Sequence, residues 1–133
     1  MPTIPWIPRN QGGPTGAVVM ASRLEVVSLT SVPNFFLKSM VVWRQVLKSP
    51  GVLGVSLRAQ PLARTFWTLS AWESREALNA FSHSDPHARI VAKLRPVTKD
   101  ALFVFWETDS ADLPASWEEA QRRLAEERDR VQV

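Results

Sequence analysis

Only two side chains in this sequence of 133 residues titrate near neutrality, His83 and His87. They stand four positions apart in the run Ser82-His83-Ser84-Asp85-Pro86-His87. The chain contains no cysteine and no tyrosine, which excludes a thiolate nucleophile and a phenolic acid or base. Carboxylates are normally too weak as bases at neutral pH, and lysine is normally protonated. Proton removal from a phenol-like substrate would therefore fall to His87, or less favourably to His83. The plainer reading of each is a helix-end histidine that hydrogen-bonds locally. A metal pair is disfavoured, because Pro86 interrupts the single helical face that ligands four apart require and there is no third histidine. Among the six tryptophans, Trp67, Trp72 and Trp106, together with Phe81, could line an aromatic ligand pocket, although buried aromatics more often serve as core. Arg23 and Arg58 could hold a substrate carboxylate, against the duller role of rim charges. No P-loop, dinucleotide fingerprint or Ser-His-Asp order is present.

The elements that position these residues follow from periodicity. Thr65 to Trp72 is free of Gly and Pro and rich in β-branched and aromatic residues, as a strand requires. Phe66, Thr68, Ser70 and Trp72 should face one side, and Trp67, Leu69 and Ala71 the other. From Ser74 the period changes: Ala77, Leu78 and Phe81 recur at helical spacing. Ser84, Asp85 and Pro86 stop and restart the helix, with Ile90, Val91 and Leu94 inward on the second half. Both histidines thus lie at an elbow between two short helices.

Elsewhere, Ala17 to Leu29 predicts a strand, with Arg23 and Glu25 paired near the sheet rim on the face of Val19 and Ala21. Ser31 and Pro33 open a helix whose apolar face reads Phe36, Met40, Trp43 and Leu47, widened by Val42 and Val46, with Gln45 outside. Ser49-Pro50-Gly51 ends it. Val52 to Gln60 predicts a strand with Leu53, Val55, Leu57 and Ala59 on one face and Ser56 and Arg58 on the other. Asp100 to Thr108 predicts a strand with bulky apolar residues on both sides. Ser116-Trp117-Glu118-Glu119 is a capping box opening a final helix to about Arg130, with Trp117, Ala120 and Leu124 as its apolar seam.

Length fits one domain, with residues 1–16 as an extended proline- and glycine-containing tail and 17–133 as the domain. The tail could pack on a neighbouring subunit or be a plain terminus. Net charge is +3, from 16 basic and 13 acidic residues with no basic stripe, so nucleic acid is not an expected partner. No apolar run is long enough to span a bilayer and no signal peptide is recognisable, which makes cytoplasmic the default.

The order strand, helix, strand, strand, helix, strand, plus one further helix, is the ferredoxin-like βαββαβ arrangement, an α+β fold. Two strands with both faces apolar need a second cover, from a partner's sheet or from the chain's own tail; the first option closes two sheets into a dimeric α+β barrel. The run from Leu69 through Trp72-Glu73-Ser74 to Phe81, then Ser84-Asp85-Pro86-His87, resembles small proteins related to the antibiotic-biosynthesis monooxygenases. With the aromatic strand Phe103 to Trp106 and the segment Leu113-Pro114 to Leu124, it is most similar to an uncharacterised bacterial family of that superfamily. The resemblance covers roughly residues 18–125. It implies a homodimer and a small-molecule ligand, and as activity a cofactor-free monooxygenase-like reaction on an aromatic or polyketide-type substrate between sheet and split helix. The alternatives are a non-catalytic ligand-binding or interaction module, or a heme-binding protein. Heme ligation does not carry over directly: the axial histidine of the heme-degrading members falls at Val91, their ring-contacting tryptophan at Phe81, and His87 lies one turn earlier. The first-strand asparagine of the cofactor-free oxygenases has no equivalent near Ser22 or Arg23.

Overall fold

The structure, a computed structural model, describes residues 3–8, 16–109 and 112–131. Five strands, β1 (Thr3–Pro8), β2 (Gly16–Val26), β3 (Val52–Gln60), β4 (Thr65–Trp72) and β5 (Thr98–Asp109), form one sheet. The helices are α1 (Val32–Lys48), α2 (Arg75–Ser82), α3 (His87–Leu94) and α4 (Trp117–Val131). Strand order is β1-β3-β4-β2-β5 with every neighbouring pair antiparallel. Residues from β2 to β5 are the expected ferredoxin-like α+β unit, and α4 is the appended helix.

β1 is an addition. Thr3 to Pro8 pairs with β3 instead of remaining a separate tail, while residues 9–15 of that tail lie outside the described residues. The reason sits at Gly54: a Cβ there would come within 2.2 Å of the Trp6 indole, so only a glycine leaves room for that ring. The Ser56 hydroxyl donates to the Ile4 carbonyl at 2.6 Å and fixes the same strand.

The sheet has two covered sides, and strand alternation assigns residues to them. On one side α1, α2 and α3 pack in two clusters. Val18, Val52, Val55, Trp72, Leu78 and Phe81 form one, and Val26, Phe35, Ala59, Phe66, Ile90 and Leu94 the other. On the opposite side α4 lays Ala120 and Leu124 on Val19, Ala21, Trp67, Leu69, Leu102 and Trp106, and Trp6 and Trp117 pack against the margin. The face that the strand pattern left for a partner sheet or a tail is therefore occupied by α4 and β1 of the same chain.

Three facings differ from expectation. On α3, Val91 is 42% exposed where the spacing puts it inward with Ile90 and Leu94; those two are buried, because a helix of eight residues turns only one narrow stripe to the sheet. In α1 the buried residue is Phe35, its ring 4.8 Å from Phe66, and Phe36 is 41% exposed. A register shift between Val52 and Gly54 turns Leu53 to the α4 side, away from Val55, Leu57 and Ala59. No helix among the described residues is long and apolar enough to cross a membrane.

Candidate functional site

The elbow between α2 and α3 is built from local caps. The Ser74 hydroxyl accepts the Ala77 N–H at 3.1 Å and starts α2. At the other end the Ser84 hydroxyl donates to the Ala80 carbonyl at 2.6 Å. That leaves the Ser82 carbonyl, one of the orphan acceptors of a helix C-terminus. His87 takes it: Nδ1 lies 2.9 Å from the Ser82 oxygen. A carbonyl can only accept, so Nδ1 carries the proton, and in the neutral imidazole Nε2 keeps its lone pair. No described residue hydrogen-bonds Nε2.

The backbone of His87 is held from a different element. Its N–H donates to Oε1 of Gln45 on α1 at 2.8 Å, and the Gln45 amide reaches back to the Ser84 carbonyl at 3.5 Å. Neither Ser84 nor Asp85 caps α3. Gln45 takes that role, and the sequence placed it outside. Its only local signal is that it borders the Val42–Val46 stripe, which does not reveal a partner 42 positions away.

Aromatic rings complete the inner side of the elbow. The His87 ring stands 4.7 Å from Phe81, and Phe81 stacks 5.2 Å from Trp72, which is fully buried. The Trp72 indole N–H donates to Ser70 at 2.9 Å. Next to these, Ser22 and Thr68 share a 2.5 Å hydroxyl contact. Along β2 and β5 the same side of the sheet is less covered: Met20 and Thr68 are half-buried, and Phe103 and Phe105 are exposed. The Arg75 guanidinium lies 4.0 Å over the Phe105 ring. His83, by contrast, is exposed at the C-terminus of α2.

The remaining candidates stand on the α4 side. Trp67 is buried and its indole N–H has no hydrogen-bond partner among the described residues. Trp106 lies beneath Arg123 at 4.6 Å, and Arg58 lies 4.7 Å over Trp117. Arg23 is bound within an ionic cluster. Glu25 meets Arg23 at 3.5 Å, Lys99 at 3.4 Å and Arg64 at 3.7 Å, and Asp100 bridges Arg23 to Arg128. The Arg128 hydrogen bond to Asp100 raises the guanidinium pKa further, so this charge is permanent. These residues border an open cleft of about 650 Å³. A second open cleft, about 720 Å³, lies where α2 begins beside the end of β5, lined by Glu73, Arg75, Glu107 and Asp109 among others. Neither is lined by His87. The structure thus joins His87, Phe81 and Trp72, and places Trp67, Trp106, Arg23 and Arg58 behind the sheet from them.

No group of three or more metal-ligating side chains occurs among the described residues. The position to which the sequence resemblance would assign an axial histidine carries the apolar Val91, 42% exposed, which has no donor atom for iron; the residues present do not fit a heme in that mode.

Residues 35–130 match the family described as Domain of unknown function (DUF3291). The chain belongs to that family. No curated protein sequence matches this DUF3291 chain. Solved structures show the fold of the antibiotic-biosynthesis monooxygenases. SnoaB, a cofactor-independent oxygenase from Streptomyces nogalater, superposes with a TM-score of 0.59 at 15% identity, covering 74% of this chain and 98% of that one. A provisionally named antibiotic biosynthesis monooxygenase from Nitrosomonas europaea gives 0.65 at 11% identity, over 77% and 97%. Another, from Caulobacter crescentus, gives 0.59 at 20% identity, over 71% and 90%. At these identities the likeness is one of fold, and the DUF3291 chain is monooxygenase-like in that sense.

Proposed function

We propose that this DUF3291 protein is a cytoplasmic, homodimeric small-molecule enzyme of the monooxygenase type, acting without a cofactor on an aromatic or polyketide-type phenol. The observation that carries the reading is the 2.9 Å contact between Nδ1 of His87 and the Ser82 carbonyl. Nδ1 faces the Ser82 carbonyl and donates to it, so in the neutral imidazole the Nε2 lone pair is left to take a proton, with the His87 backbone held by Gln45 and its ring against Phe81. In this scheme Nε2 takes the phenolic proton, and the electron-rich phenolate reacts with dioxygen. One oxygen atom enters the ring as the second carbonyl of a quinone. The other leaves as water together with the ring hydrogen and the proton that His87 returns. Phenol and dioxygen in, quinone and water out, balances without another reductant. The half-open strip of Met20, Thr68, Phe103 and Phe105 supplies a flat surface for such a ring.

The test is oxygen uptake over a panel of polycyclic phenols, with wild type and His87→Ala. A loss of about a hundredfold in turnover, with an unchanged melting curve, supports the base. One observation favours a second reading, a ligand-binding module without chemistry: both open clefts are lined by residues other than His87. Phenol binding that His87→Ala leaves unchanged, with no oxygen consumed, would establish that reading instead.

A further inference from the structure

The cleft bordered by the ionic cluster is made by α4, the helix added beyond the ferredoxin-like unit. Gln121, Leu124, Ala125 and Arg128 recur at helical spacing and turn one face of its later turns to the cleft. The opposite wall comes from the paired ends of β2 and β5, where Arg23 stands opposite Leu102 and Glu25 opposite Asp100. Strand alternation alone would send Lys99 to the elbow side with Phe103 and Phe105. The register shifts after Glu25, and Val26 pairs with Thr98. Lys99 is left as the extra residue of a bulge and turns to the cleft beside Asp100. Its ammonium thereby reaches Glu25 at 3.4 Å. Leu102 and Leu124 are buried and give the cleft an apolar floor.

The charges around this cleft do not cancel. Arg23, Arg64, Lys99 and Arg128 carry four positive charges, against two negative ones on Glu25 and Asp100. Among the described residues no other carboxylate lies within ion-pair distance of the four. Three cations share Glu25 at 3.4 to 3.7 Å, longer than the about 2.7–2.9 Å of a tight charge-assisted hydrogen bond. Tying α4 to the sheet needs only Arg128 and Asp100. What remains is a surplus of positive charge and of N–H donors beside apolar surface. The Gln121 amide, half-buried on the same wall, meets no hydrogen-bond partner among the described residues.

We propose that this cleft binds a small organic carboxylate. Its anionic head lies between Lys99, Arg128 and the Gln121 amide, and its hydrocarbon part lies on Leu102, Leu124 and Ala125. The volume of about 650 Å³ falls within the roughly 300–1,000 Å³ of small-molecule sites. A bare inorganic anion would answer the charge and leave the floor uncovered. A neutral hydrocarbon would cover the floor and leave the charge. Arg23 stays between Glu25 and Asp100 at the margin of the site. The site goes beyond the proposed function: the sheet separates it from His87, and it binds without chemistry.

Hexanoate is the probe, with hexanol as its neutral counterpart and inorganic phosphate as the bare anion. Titrated at millimolar concentration into the isotope-labelled full chain at neutral pH, hexanoate should give saturable amide shifts centred on Leu102, Gln121 and Ala125. The amides of Phe81 and His87 should not move. Hexanol and phosphate should each bind at least about tenfold more weakly, since each lacks one half of the recognition. Lys99 is exposed and its pair with Glu25 adds little stability. Lys99→Gln should therefore weaken hexanoate about tenfold and leave the melting curve unchanged. Gln121→Trp, which fills the cleft, should abolish binding with the same circular-dichroism spectrum. Phosphate that binds as tightly as hexanoate rejects the organic ligand. Hexanoate shifts that do not saturate, that centre on the elbow, or that survive both substitutions reject the site and leave the cluster as a clamp for α4. None of these outcomes uses oxygen uptake, so a failure here does not touch the role of His87.

Discussion

The two sides of the sheet use the same kinds of residues to different ends. On the α4 side, Trp67 and Trp106 are buried beneath the chain's own last helix, and the arginines around them are engaged with carboxylates or aromatic rings. On the elbow side, Trp72 and Phe81 are just as buried, but they back a histidine whose Nε2 meets no hydrogen-bond partner among the described residues, and they continue into a strip of half-covered and exposed residues. An arginine anchor and a histidine base that looked like parts of one site are separated by the thickness of the sheet. One small molecule cannot reach both. The difference teaches that the arginines behind the sheet are already engaged with carboxylates and rings, whereas under the proposed function the chemistry belongs to the elbow.

The largest test of that division concerns α4. Leu124 is 2% exposed and packs into the α4-side cluster, so Leu124→Ala should cost about 2–5 kcal/mol in denaturant unfolding. A cost under about 1 kcal/mol would mean that α4 lies loosely on the face and that the division is wrong. Next comes Arg23→Gln. Its partners are half-exposed ion pairs, which contribute about 0–1 kcal/mol each, and turnover of a phenol should stay within about twofold, against the hundredfold expected for His87→Ala. The reverse ranking would move the site behind the sheet. The smallest effect is electrostatic. The hydrogen bond from Arg130 holds the Glu127 carboxyl pKa below its ordinary value of 4.5. A lowered folded-state pKa contributes stability that is present above the unfolded value and is lost as pH falls through the folded one. Glu127→Gln should therefore lower the melting temperature slightly near neutral pH, and the gap to wild type should close only in acid below that value. A gap that persisted unchanged into acid would show that charge at Glu127 is not what α4 gains from it.

Much of the fold was legible because its signals are local. β3 and β4 were readable to the residue from composition and flanking turns, and the break at Ser84 to Pro86 announced two helices. What escaped was set by distant partners. Phe35 and Phe36 are adjacent, each heads a stripe at helical spacing, and only the Phe66 ring decides which goes in. Leu53 faces away from its expected side because of a register shift that alternation cannot foresee. Gln45 reads as a surface residue until α3 is placed above it. At the candidate site, His87 could be nominated by elimination, since that needs only residue types. Its tautomer and its neighbours could not, because they depend on a carbonyl and a ring supplied by the turn of the elbow itself.

The prolines of β1 have a consequence for how large an assembly can become. A sheet with two adhesive edges adds copies without limit, as fibres do; a sheet with one can add a single copy and is then complete. Pro5 and Pro8 along the far margin, with Trp6 seated over Gly54, leave that margin a poor template for a further strand. Removal of β1 would expose the edge of β3, which has no proline of its own, to pairing with another strand.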